Sequence, residues 1–257
     1  MHSLDPHRGR PLISLSPQAW QYAGAACIAP CGGLLVAGLL SAGFFPPPPP
    51  SWDAAQTAQY YRDHSQRIRV GATLIMAASL FYVPYTMVVS VRLRRIPNLH
   101  PVVAWIQVAT GATSTYTLML TGILLATAAF RPDRPAELTQ MLNDLFWLVW
   151  AAAWPTFVVQ FLAFGFAAMG EFPRALAVFS VYMSVIALVA DLSTHYFHTG
   201  PLAWNGVVGF WLPGLSWVVM MGLELVCLVR VIRMDEWSQD GVADVSPENV
   251  ENDQVKA

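Results

Sequence analysis

Charge is scarce in this sequence. Only 12% of its 257 residues are Asp, Glu, Lys or Arg, about half the share carried by a soluble domain. The formal net charge is −2, so there is no basic footprint for nucleic acid. No Walker A motif occurs, which excludes an ATP-driven motor acting alone. Neither HExxH nor GxSxG is present, and no CxxCH would attach a haem. No histidine lies deep in an apolar run, so the paired imidazoles of a membrane haem are missing. The apolar runs also lack the arginine ladder of a voltage sensor. Cysteine is rare as well. Cys27, Cys31 and Cys227 lie in or beside apolar runs, where they read as small hydrophobes rather than a disulfide framework.

Apolar length is what the chain has. Hydrophobic residues make up 55% and the mean hydropathy is +0.46. Six spans emerge, at about 19–45, 68–91, 101–129, 142–169, 174–197 and 205–232. Each is near or above the ~20 residues that cross ~30 Å of hydrocarbon. The expected fold is all-α: a polytopic integral membrane helix bundle with six transmembrane helices at 19–234. Pro101 and Pro173 sit near helix starts, where a missing N–H costs little. Pro84, Pro155 and Pro213 lie inside spans and predict kinks.

Orientation follows from the basic residues. With the N-terminus inside, cytoplasmic segments hold Arg8, Arg10, Arg92, Arg94, Arg95, Arg174, Arg230, Arg233 and Lys256, against Arg62, Arg67, Arg69, Arg131 and Arg134 outside. That bias places both termini in the cytoplasm. The start, MHSLDPHRGRPLISLSPQAW, is polar and Pro-broken and lacks the pattern of a signal peptide. Residues 1–18 are therefore expected to be a cytoplasmic segment and the first span a retained helix. Short loops and the lack of sorting motifs suggest a bacterial cytoplasmic membrane.

The outer loop at 46–67 opens with five prolines, expected to form a stiff rod of roughly 15 Å. Asp53 then reads as an N-cap, with Gln56 completing a capping box. The helix that follows is polar on most faces, with Trp52, Tyr60 and Tyr61 as interface aromatics. It is placed to cover the outer mouth of the bundle. The tail, 235–257, is acidic, lacks a hydrophobic pattern and is expected to be disordered.

Several polar groups stand out inside or beside the spans. Gln107, Thr110, Ser114, Thr117 and Thr121 recur at steps of three and four, a stripe that should face other helices. It is either packing glue or one wall of a polar pathway. Asn143, Trp147, Trp150 and Trp154 share another face, with Asp144 beside them. Three indoles in a row suit a pocket for a flat or cationic ligand. The same pattern also fits bundle packing with Trp147 in the outer aromatic belt.

Glu224 is the most expensive residue, roughly 9 Å beyond the midpoint of the last span. A carboxylate there must be protonated, paired or hydrated. Gln107 and Gln160 should lie at similar depth and could bond it. Its role is then a proton relay, a general acid or an interhelical hydrogen bond.

Asp191, His195 and His198 are spaced four and three apart. On one helix they would fall within a ~60° arc. Such a face could bind a metal with help from His64, Asp144 or Asp53, perform acid–base work, or simply end a membrane helix.

Three functional readings remain open. The first is an enzyme or binder for a lipophilic small molecule. It would use Asp144, Asp191, His195 and His64 in acid–base chemistry such as isomerisation, cyclisation or hydration, with the Trp wall as pocket. The second is a proton-coupled carrier built on Glu224. The third is a scaffold or accessory subunit. The expected partners are the lipid bilayer, a lipophilic small molecule, and a membrane protein or a second copy of the chain. No cofactor and no bound metal is assigned.

Overall fold

The computed structural model describes residues 16–152, 154–171 and 174–244. Among these, all long elements are helices: α1 (Pro17–Ala26), α2 (Ile28–Ala42), α3 (Ala54–Leu93), α4 (Val102–Phe130), α5 (Ala136–Ala152), α6 (Trp154–Glu171), α7 (Arg174–Thr194) and α8 (Leu212–Asp244). A π-helical segment, Val207–Trp211, leads into α8. Six helical stretches are long and apolar enough to cross a membrane, as expected. Arg8, Arg10, Pro173 and Lys256 lie outside the described residues, as do most of the N-terminal segment and the end of the tail.

The outer surface suits lipid. Leu80, Val178, Val185, Leu215 and Val226 are exposed apolar side chains on the spans, an array that water would penalise. Lipid tails give apolar helices no reason to associate, so close packing and polar bonds must hold them. Gly38 and Gly71 supply the first. A Cβ on Gly38 would sit 2.8 Å from the Gly71 carbonyl oxygen, so α2 and α3 touch backbone to backbone. On the other side of α3, Gly111 of α4 leaves room for the Thr86 side chain.

The prolines inside spans fall where the sequence places them. Pro84 does sit inside α3. Pro155 and Pro213 likewise lie within the candidate spans Ala136–Gly165 and Val207–Asp235, and Pro213 stands just after the π-helical segment. The first span carries an additional break at Cys27, between α1 and α2. Pro30 has no N–H to meet the Ala26 carbonyl, which explains it.

The outer helix and the second span are one 40-residue helix, α3. Its capping box forms as expected, with Gln56 N donating to Asp53 Oδ1 at 2.8 Å and Asp53 N to Gln56 Oε1 at 3.0 Å. Nothing between Asp53 and Leu93 except Pro84 interrupts helical bonding. The tail also differs from expectation, because α8 continues to Asp244. Asp235 is held by two arginines from the end of the second span, Arg92 and Arg95, which anchors that stretch. One end of the bundle, the loop face, carries residues 43–53, 131–135 and 195–206. The opposite end, the arginine face, carries Arg92 to Arg95.

Candidate functional site

The loop face is closed by an aromatic plug. Trp147 of α5 is 1% exposed. Its ring stacks on Trp204 at 6.2 Å and meets Phe44 at 5.3 Å and Phe210 at 6.1 Å. Trp204 in turn donates from Nε1 to the Pro48 carbonyl at 2.9 Å. The proline run is thus pinned across the bundle end, with Pro47 and Pro48 buried. Tyr61 is buried beneath Phe44 rather than lying at an interface, and its hydroxyl donates to Asn143 Oδ1 at 3.2 Å. Trp147 therefore belongs to the plug and not to an outer belt.

The outer polar residues gather only in part. Asn143 donates to Asp144 at 3.3 Å, and His198 lies within electrostatic reach of Asp144. Asp191 and His195 form a separate pair. Helix α7 ends at Thr194, and His195 Nδ1 lies 2.6 Å from the Asp191 carbonyl oxygen. His195 and His198 thus fall beyond the helix, so the single face carrying Asp191, His195 and His198 does not form. His195 satisfies a terminal carbonyl of α7, the usual task of a histidine there. His64 is engaged locally too, with Nδ1 3.0 Å from the Tyr60 carbonyl oxygen and its ring stacked on Tyr60. Among the described residues, no three His, Cys, Asp or Glu side chains come together as a metal site.

Below the plug lies a cleft of about 180 Å³. Gly32, Leu35 and Val36 of α2 form one wall, and Gly214, Trp217 and Val218 of α8 form the other. Trp150, Phe157, Thr117 and Thr121 complete it from α5, α6 and α4. None of its lining residues is charged. Gly32 of α2 and Gly214 of α8 both line the cleft and add no side chain to it. Val36, Leu215 and Val218 on its rim are exposed, so it opens sideways, towards the lipid. Trp217 Nε1 is buried without a hydrogen-bond partner among the described residues. Leaving such a donor unmet costs about 1–3 kcal/mol. Of the sequence-predicted indoles, Trp150 lines the cleft, Trp147 sits behind it, and the Trp154 side chain lies outside the described residues.

Phe157 separates the cleft from a buried polar chain. Its ring meets Trp217 at 6.5 Å on one side and Tyr82 at 5.8 Å on the other. Tyr82 donates to Gln160 Oε1 at 3.0 Å, and Gln160 Nε2 reaches Thr86 at 3.4 Å. Gln107 Nε2 also donates to Thr86, at 2.9 Å, while Gln107 Oε1 accepts from Ser90. Beside them Tyr85 donates to the Glu224 carboxylate. Glu224, 4% exposed, is therefore bonded by a tyrosine and not by the two glutamines expected to meet it. Sequence reasoning missed Tyr82, Thr86 and Ser90, yet their spacing of four on α3 carries the signal of one face.

The polar stripe of α4 faces the bundle. Gln107, Ser114 and Thr121 are buried, and Ser114 bonds Thr156 of α6 at 2.8 Å. The Thr110, Thr117 and Thr121 hydroxyls bond carbonyls of their own helix. The stripe is cross-linked to neighbouring helices at Gln107 and Ser114, and among the described residues its other hydroxyls turn back on their own helix rather than forming a continuous row.

No known family model, curated protein or solved structure matches this chain. Its function must be argued from the cleft and the chain of polar groups beneath it.

Proposed function

We propose that this multi-pass membrane protein binds a lipophilic small molecule that enters from the bilayer between α2 and α8. The observation that carries this reading is the sideways opening of an uncharged, aromatic-lined cleft. Indole and phenyl faces recognise a flat ring or an apolar chain through dispersion and stacking. Without a charged residue in the lining, an ionised ligand group would go unpaired there, which excludes an anion held by its charge. Trp217 Nε1 offers a single donor, suited to one carbonyl or ether oxygen on an otherwise apolar molecule.

Gly214 supplies the test. Gly214 lines the cleft and a Cβ added there meets nothing within 4 Å, so Gly214→Leu is expected to occupy cleft space. Organic extracts of the detergent-purified protein, measured by mass spectrometry, should contain a near-stoichiometric lipophile in the wild type and lose it in Gly214→Leu. Identical extracts from both proteins would remove the cleft as a binding site.

A second reading rests on Glu224. A buried carboxyl bonded by Tyr85 and adjoining the Tyr82–Gln160–Thr86–Gln107 chain can hold and exchange a proton. In this reading the protein couples proton movement to its ligand. In proteoliposomes with an interior pH dye, an imposed pH gradient should decay faster with wild-type protein than with Glu224→Gln. Equal decay in the two preparations would sink the coupling. Acid–base chemistry at Asp144 and His198 is a third use of the loop face, and neither residue lines the cleft.

A further inference from the structure

On the arginine face, α1, α3 and α8 enclose a hollow of about 320 Å³ lined by Pro17, Gln18, Gln21, Arg92, Arg95 and Asp235. Its chemistry is the opposite of the cleft's. Arg92 is 3% exposed, although the sequence places it just beyond the second span among the cytoplasmic basic residues. Its Nη1 donates to the Asp235 carboxylate, which Arg95 Nη1 also reaches, at 2.6 Å. One carboxylate thus serves two guanidiniums and leaves a formal charge of +1 in the hollow.

The remaining fork of Arg92 is unused. Nε and Nη2 are buried and have no hydrogen-bond partner among the described residues, and Gln21 Oε1 is in the same position. Nε and Nη2 form the edge of a guanidinium that grips two oxygens of a phosphate or carboxylate side by side. A buried, charged edge with two unmet N–H groups is expensive unless an anion takes it. The first turn of α1, capped by Ser16 and opening with Pro17, stands at the same rim. Its helix dipole adds to the attraction for a negative group.

The level of the hollow indicates the source. Trp20 and Trp105 are both 59% exposed at this end, and Arg94 lies over the Trp105 ring at 5.5 Å. Exposed indoles beside arginines mark the headgroup layer of a bilayer. We propose that the hollow binds a phosphate oxyanion, taken bidentately by Arg92 with Arg95 closing over it, and that the phosphate belongs to an anionic membrane lipid.

Native mass spectrometry of the full chain in mild detergent tests this. Three probes are titrated: a short-chain phosphatidic acid, a short-chain phosphatidylcholine and inorganic phosphate. Phosphatidic acid should bind about tenfold more tightly than phosphatidylcholine, or more. Arg95→Gln should remove most of that preference. Its side chain is 53% exposed, so the variant tests the site even if Arg92→Gln fails to fold. Asp235→Asn removes the competing internal anion and should tighten phosphatidic acid binding. A purely structural ion pair behaves differently: Asp235→Asn would lower thermal stability and leave lipid binding unchanged, which overturns the proposal. Equal binding of the two lipids overturns it as well. Inorganic phosphate competing at equal concentration would keep the oxyanion site but make a free ion its occupant.

Discussion

At the residue scale, the most consequential pair is Tyr85 and Glu224. Neither has water to fall back on, since both are buried within spanning helices. Tyr85→Phe removes the donor and leaves the carboxyl unmet, at a cost of about 1–3 kcal/mol. Glu224→Gln keeps an acceptor for Tyr85 and should cost less. Thermal unfolding midpoints in detergent should therefore fall further for Tyr85→Phe than for Glu224→Gln. The reverse order would mean that Glu224 has a stronger partner than Tyr85. Glu224 itself was legible in the sequence, because a carboxylate in an apolar run is conspicuous. Its tyrosine partner was not, because Tyr in an apolar run reads as one more large hydrophobe. The histidines show the opposite error. Spacing alone aligned Asp191, His195 and His198, but the arc held only if the helix reached His198, and α7 stops at Thr194.

At the element scale, glycine contacts substitute for the hydrophobic drive that lipid removes. A Cβ on Gly71 would lie 2.5 Å from the Gly38 carbonyl oxygen and 3.0 Å from Ala42 Cβ. Backbone cannot swing aside as a flexible side chain can, so Gly71→Val should destabilise by about 1–3 kcal/mol or more. Gly33, also on α2, has open space around it. Gly33→Ala should be neutral or stabilise by roughly 0.5–1 kcal/mol, since a helix prefers Ala to Gly. Denaturant titration of both variants in detergent checks the contrast; equal effects would show that the α2–α3 contact is not under steric control. The six spans could be read from hydropathy because length and composition alone define them. The cleft could not, because it is made by side chains that are absent. Gly32 and Gly214 look like any other glycines until the fold places both at the cleft.

At the scale of the whole molecule, six crossings put the two ends of the described chain on one side of the membrane. We propose from the distribution of arginines that this side is the cytoplasm. Ser51 and Arg94 are both exposed and lie at opposite ends of the bundle. In intact cells, a membrane-impermeant maleimide should label Ser51→Cys, and should label Arg94→Cys only after permeabilisation. The inverse pattern would turn the molecule over and would place the arginine hollow in the outer leaflet.

Helix α3 runs about 60 Å at 1.5 Å per residue, twice the thickness of the hydrocarbon layer. One continuous rod therefore carries Tyr61 in the plug, Tyr82 and Tyr85 in the buried chain, and Arg92 in the hollow. Its one internal proline, Pro84, is the only joint the sequence builds into that rod. The mouth, the interior and the far surface are in this way mounted on a single shaft. A ligand that turns one end by a few degrees must either turn the other or bend the shaft beside Tyr85.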